Sequence, residues 1–184
     1  LQVLLRRKRL KDGSMDLTKY IRNIPDFPKP GILFKDITPL LADPDAFHAA
    51  IHAMMQFYER KPIDAISAAE ARGFLFAAPL AYLMKKPLVP LRKPGKLPYQ
   101  THKLQYDLEY GQAELHVHID GFNPGAKVLL VDDLLATGGT LEAACKLIER
   151  AGARVLGCCV LVELSFLKGR EKLAPHDVFS LIRY

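Results

Sequence analysis

A mainly parallel, twisted α/β sheet flanked by helices is the fold class this sequence predicts, and three observations predict it. From Lys61 onward short apolar runs alternate with helical spacing, the mark of βαβ units. Residues 127–131, Lys-Val-Leu-Leu-Val, show no polar alternation, as a strand buried on both faces requires. The chain's 184 residues, 49% hydrophobic and 25% charged, suffice for one core without metal or disulfide staples.

The elements follow in order. Residues 1–14 hold five basic side chains against Asp12, a net of +4 that leaves +2 of the total +6 for the rest. Because Gly13-Ser14 directly precede Met15, this stretch reads as a leader or vector-derived segment, disordered and outside the fold. The alternative is a basic arm for nucleic acid or membrane. Residues 15–60 read as an N-terminal hood: a short helix over 17–23, a Pro-punctuated stretch, then an amphipathic helix opening at Asp43-Pro44, where Asp43 accepts from unpaired N–H groups and Pro44 takes the first helical position. Residues 61–184 form the core, and hood and core together make one domain.

Within the core the spacing predicts strands at 63–67, 87–91, 127–131 and 154–163, and helices at 74–84 and 140–150. Leu141, Ala144, Leu147 and Ile148 line one face of the second helix, which Ala151-Gly152 closes. Residues 115–119 alternate like a half-exposed antiparallel strand and 178–182 resemble a final edge strand, so a sheet mixed at its margins is expected. The polar segment 93–111 is too long for an ordinary connection and reads as a flexible lid loop.

Several classes are excluded. Apolar runs are interrupted well short of the roughly 20 residues of a bilayer span. Three cysteines, two of them adjacent, make no disulfide framework, which points to a reducing, cytoplasmic setting. The Gly-x-x-x-x-Gly-Lys-Ser/Thr string of P-loop enzymes and the Gly-x-Gly-x-x-Gly of dinucleotide folds are both missing.

The strongest chemical signal runs from Val128 to Thr140: a buried strand, Asp132 and Asp133, Leu134, then the loop Ala136, Thr137, Gly138, Gly139, Thr140 leading into a helix. Glycines let successive N–H groups converge, the threonines add hydroxyl donors, and the helix turns its positive end to the same hollow. That cradle fits a phosphate monoester. Two acids just before it would repel bare phosphate and instead accept hydrogen bonds from ligand hydroxyls, the layout of a ribose 5-phosphate.

This thirteen-residue string resembles the phosphoribosyl-diphosphate signature of type I phosphoribosyltransferases. Residues 25–31 (Pro-Asp-Phe-Pro-Lys-Pro-Gly), 71–74 (Ala-Arg-Gly-Phe), 95–98 (Gly-Lys-Leu-Pro), 108–111 (Leu-Glu-Tyr-Gly) and 167–173 (Leu-Lys-Gly-Arg-Glu-Lys-Leu) resemble the adenine-using branch of that family. The resemblance implies the type I phosphoribosyltransferase fold. It also implies transfer of the 5-phosphoribosyl group from 5-phospho-α-D-ribose 1-diphosphate to adenine, giving AMP and diphosphate in purine salvage.

By the same resemblance Mg²⁺ is carried mainly on the diphosphate, with no protein ligand assigned, and the protein is a homodimer without membrane or nucleic-acid partners. Asp132 and Asp133 would hold the ribose and residues 136–140 the 5-phosphate. Arg72, Arg92, Lys93 and Lys96 would hold diphosphate. Leu33, Phe34, Lys35 and Leu134 would line the adenine slot, Glu109 would move the proton as the catalytic residue, and Tyr110 would close with the lid. Two departures stand out: Lys35 where relatives commonly carry Arg, and Ser67-Ala68-Ala69-Glu70 where they often carry Gly.

The remaining conspicuous residues have plainer readings. His116 and His118 share a strand face with no further ligands beside them, Cys145, Cys158 and Cys159 read as packing residues, and Lys168, Arg170 and Lys172 read as a solvated turn, the alternative being contact with a second subunit. A relative acting on 6-oxopurines is the nearest alternative. A nucleic-acid-binding regulator that keeps the pocket without catalysis is the alternative of another class.

Overall fold

The computed structural model describes residues 15–107 and 111–184. The stretch expected as a leader lies outside the described residues, as do Leu108, Glu109 and Tyr110. The chain divides into two compact units, Leu1–Ala49 and Ala50–Tyr184.

In the first unit a 3-10 turn, Leu17–Tyr20, is capped by Asp16, which accepts the Thr18 N–H at 3.2 Å. The helix expected over 17–23 is therefore only one turn, because the chain extends from Ile21 into strand β1 (Arg22–Pro25). β1 pairs antiparallel with β2 (Leu33–Asp36), from Arg22 opposite Asp36 to Pro25 opposite Leu33. Asp36 then accepts from the Thr38 N–H at 2.9 Å and its hydroxyl at 2.7 Å, at the start of α1 (Thr38–Ala42). Asp43 accepts the Ala46 N–H at 2.8 Å in the first turn of α2 (Pro44–Tyr58), as its capping role requires, and from Ala50 on this helix belongs to the second unit.

The second unit contains β3 (Ala65–Ala69), α3 (Gly73–Met84), β4 (Leu88–Leu91), β5 (Thr101–Asp107), β6 (Gln112–His118), β7 (Lys127–Leu135), α4 (Gly139–Arg150), β8 (Arg154–Glu163) and β9 (Val178–Arg183). Its five-stranded sheet has the order β4-β3-β7-β8-β9, and every neighbouring pair in it is parallel. Val128, Leu129, Leu130 and Val131 are fully buried in the middle strand, which explains their unbroken apolar run. α4 buries Leu141, Ala144, Leu147 and Ile148, the face its spacing predicts.

Two expectations are corrected. The five named strands of the main sheet are all parallel: β9 joins β8 in parallel, because residues 164–177 return the chain through the 3-10 turns Ser165–Leu167 and Gly169–Leu173 before it restarts. The antiparallel strand β6 forms a two-stranded sheet with β5, and it meets the residue after β4 at one antiparallel bridge, where the Arg92 N–H donates to the His116 carbonyl at 2.9 Å and the His116 N–H to the Arg92 carbonyl at 2.7 Å. Nor is 93–111 all loop, since β5 occupies 101–107. Leu104 and Tyr106 pack against the hydrophobic core, and the Arg150 guanidinium on α4 donates to the Lys103 carbonyl at 2.5 Å. The hairpin that flanks residues 108–110 is thereby anchored to α4.

This sheet order positions the site. β3 is the first strand of the sheet, and the chain moves first to one side of it (β4) and later to the other (β7). The loops leaving the carboxyl ends of β3 and β7 therefore diverge, opening the crevice where parallel α/β sheets bind ligands.

Candidate active site

A cavity of about 720 Å³ occupies that crevice. Glu70, Ala71 and Arg72 line it from the β3 loop, Asp132 to Leu141 from the end of β7 and the start of α4, and Lys172 from the later 3-10 turn. Asp132, Asp133, Leu134, Ala136, Thr137, Gly138, Gly139 and Thr140, all assigned from sequence, thus meet at one wall with Arg72.

β7 delivers the two acids and then turns sharply. Gly138 has φ +85°, a left-handed conformation natural to glycine, and stands just ahead of α4. The first N–H groups of α4 lack intrahelical carbonyl partners, and the residues that carry them line the cavity with Thr137 and Thr140. A residue with a Cβ would not fit at 138, because that carbon would sit 2.5 Å from the Gly169 carbonyl oxygen.

The acids are electrostatically tense. Asp133 is buried, Asp132 half-buried, and the Asp133 N–H donates to the Asp132 carboxylate at 2.9 Å. Burial, then the neighbouring Asp133 charge, push the Asp132 carboxyl well above the ordinary carboxylate range. Burial raises Asp133 as well, against the opposing pull of the Arg72 guanidinium, whose Nε lies 2.9 Å from its Oδ2.

The other expected diphosphate residues stand behind this wall. Glu70 accepts from Arg92 Nε and from the Lys93 backbone N–H, each at 3.0 Å, and the Arg92 hydrogen bond, then the Lys93 N–H, hold its carboxyl below the usual range. Glu70 therefore couples the loop after β4 to the cavity wall, and the Glu70–Ala71 peptide beside it is cis. Lys96 follows in the same loop, its N–H on the Lys93 carbonyl at 3.3 Å, and is not among the cavity's lining residues.

The adenine-slot candidates divide between the units. Leu134 lines the cavity. Leu33, Phe34 and Lys35 lie on β2 of the first unit, where Phe34 meets Phe27 edge-on at 5.1 Å and Lys35 Nζ donates to Asn23 Oδ1 at 2.7 Å. Glu109 and Tyr110 fall outside the described residues.

No local signal in the sequence marks Glu70 and Lys172 as lining the cavity or Gly169 as packing against its loop. The expectation of a solvated Arg170 is corrected: Arg170 donates to Glu163 Oε1 at 3.1 Å and Oε2 at 2.6 Å, to the Val178 carbonyl at 2.7 Å and to Ser180 Oγ at 3.1 Å. These partners lie on β8 and β9, beyond the reach of a local pattern. His116 is hydrogen-bonded to Glu114 and, at 3.4 Å, to Thr101.

The phosphoribosyl transferase domain family matches residues 37–182. The adenine phosphoribosyltransferase of Symbiobacterium thermophilum is 54% identical over 170 residues, covering 92% of this chain and 100% of that protein. That of Rhodopirellula baltica is 52% identical over 170 residues, covering 92% and 82%. The crystal structure of adenine phosphoribosyltransferase from Thermoanaerobacter pseudethanolicus superposes with a TM-score of 0.90 at 50% identity, over 94% of this chain and 100% of that one. The Saccharomyces cerevisiae enzyme, solved with D-2,5-dideoxy-2,5-imino-altritol 1,6-bisphosphate and adenine, gives 0.85 at 37% identity, over 91% and 97%. The chain therefore belongs to the phosphoribosyltransferase family, and within it to the adenine phosphoribosyltransferases.

Proposed function

We infer that this cavity transfers the 5-phosphoribosyl group of 5-phospho-α-D-ribose 1-diphosphate to adenine, releasing diphosphate and forming AMP for purine salvage. The observation that carries the reading is the wall on which two acids, a Gly/Thr loop and Arg72 converge at the switch point of the sheet. A sugar phosphate spans it naturally: hydroxyls toward Asp132 and Asp133, the 5-phosphate toward the loop N–H groups and threonines.

Breaking the anomeric C–O bond leaves an electron-poor sugar and a departing anion, so the site must stabilise the anion and keep water away. Arg72 is the cation at the β3 side of the cavity, and as it turns to diphosphate it releases Asp133 to the ribose. Arg92 and Lys93, tied to Glu70, and Lys96 beyond them extend positive charge along the neighbouring loop. Leu134 would face adenine from the cavity, and Leu33, Phe34 and Lys35 are the adenine-binding residues proposed in the first unit. Glu109 would exchange a proton with the purine ring as the glycosidic bond forms, and Tyr110 would close with the lid.

The donor set fits Mg²⁺ held through substrate. Three carboxylates, Glu70, Asp132 and Asp133, line the cavity, and Glu70 is tied to Arg92 and Lys93, so Mg²⁺ would keep water and substrate-phosphate ligands. Asp132 and Asp133 are the residues that would face it, and bound there it would neutralise the leaving diphosphate.

A homodimer is supported by α3, which leaves Leu75, Ala78 and Tyr82 exposed along one stripe, Tyr82 at 84%. A cytoplasmic setting is supported by three buried free cysteines, and no helix among the described residues is long and apolar enough to cross a membrane. Parallel assays with adenine, hypoxanthine and guanine test the substrate: adenine should be turned over preferentially, and preferred turnover of an oxopurine would overturn the assignment.

A further inference from the structure

The phosphate loop presents a charge problem. Residues 136–140 contain no basic side chain, two acids precede them, and a helix N-terminus supplies only about half a positive charge. A phosphate monoester at neutral pH carries about −1.5 to −2. Among the described residues that line the cavity just two are cationic, Arg72 and Lys172, and Arg72 is engaged with Asp133 at the β3 side.

Lys172 sits on the 3-10 turn Gly169–Leu173, and two features press that turn against the phosphate loop. Gly169 meets the loop backbone so closely that a Cβ on it would overlap the Ala136 carbonyl oxygen and lie 2.9 Å from the Gly138 nitrogen. Arg170 and Leu173 fix the turn from behind, Arg170 through Glu163, Ser180 and the Val178 carbonyl, and Leu173 by burial in the core. The backbone under Lys172 is thus held, while its side chain is exposed and borders both the main cavity and a second one of about 230 Å³ beside α4.

We propose that Lys172, carried by this turn, is a binding residue for the 5-phosphate and supplies the positive charge that the loop itself lacks. The proposal rests on the reading of residues 136–140 as the phosphate cradle. It assigns a ligand role to a segment whose local pattern reads as solvated surface.

Calorimetric titration with ribose 5-phosphate and, separately, with diphosphate tests it on wild type, Lys172→Met, Lys172→Arg and the double variant Thr137→Val/Thr140→Val. Lys172→Met should weaken ribose 5-phosphate binding by about three- to tenfold and leave diphosphate unchanged, while Lys172→Arg stays close to wild type. The loss should shrink as salt is raised. Unchanged ribose 5-phosphate affinity in Lys172→Met, alongside a clear loss in the double threonine variant, overturns the role of Lys172 alone. Unchanged affinity in the double threonine variant overturns the cradle beneath it, and equal losses for both ligands in Lys172→Met contradict a specific 5-phosphate contact.

Discussion

Arg72 and Asp133 reach from the two loops of the switch point to within 2.9 Å, Nε to Oδ2, and join a residue assigned to diphosphate with one assigned to ribose. The partners are unequal: the Asp133 side chain is buried, whereas that of Arg72 is 47% exposed. Removing Arg72 strands a buried carboxylate beside Asp132, the costlier of the two losses.

Arg72→Met should therefore destabilise the protein in a pH-dependent way. Asp133 already ionises above the ordinary carboxylate value, and without the guanidinium it rises further. Between the unfolded and folded values the native state holds more protons, so stability falls as pH rises through that window. The melting-temperature deficit of Arg72→Met against wild type should be small near about pH 4 and grow toward about pH 8. A deficit that does not vary with pH would remove this pair from the account.

Asp132→Asn should trade function for stability. Its carboxyl is pushed up by burial and by Asp133, so ionising it opposes folding at neutral pH. The variant should melt higher than wild type at neutral pH yet bind the sugar diphosphate about tenfold more weakly, having lost a charged acceptor for the diol. A lower melting point, or unaltered binding, would contradict that double role.

Gly138→Ala should damage the cradle specifically. It combines a left-handed backbone at φ +85° with a Cβ 2.5 Å from the Gly169 carbonyl oxygen, a strain on the order of 1–3 kcal/mol. The expected outcome is a lower melting temperature and a raised KM for the sugar diphosphate. A KM equal to wild type would mean that the loop tolerates displacement.

Arg170→Met probes the support behind the same loop. Glu163 is held below its usual range by hydrogen bonds from Arg170 and Ser180, so its contribution is present above the ordinary carboxylate value and is lost as pH falls through the folded one. The variant should lose about 2–4 kcal/mol at neutral pH, with the gap narrowing in acid. Urea unfolding at both pH values measures this, and equal stability to wild type at neutral pH would contradict it.

Glu109→Gln should keep the fold and slow AMP formation by about tenfold or more, the lower end of what a positioned proton-transfer group contributes. Undiminished kcat would take Glu109 out of the chemistry.

What the sequence makes legible follows from which interactions are local. β7, the phosphate loop and α4 are contiguous, and an unbroken apolar run, a Gly/Thr turn and a helical face each declare themselves within a few residues. β5 is hidden because it is half polar, with only Leu104 and Tyr106 reaching the core; its pairing with β6 makes it a strand. Arg22 and Asn23 read as the end of a helix until β2 supplies the partner that makes them the start of β1. Edge strand β9 reads as a strand, but only the path of residues 164–177 decides that it runs parallel. Arg170 and Gly169 were obscured for the same reason: their partners, Glu163, Ser180, Ala136 and Gly138, are brought to them by the tertiary fold.

A crystal structure with AMP tests the central claim most directly, since it fixes both ends of the pentose at once. The account predicts the 5-phosphate within hydrogen-bonding distance of Thr137, Thr140 and the loop N–H groups, with the ribose hydroxyls on Asp132 and Asp133. An AMP whose phosphate lies away from that loop would contradict it.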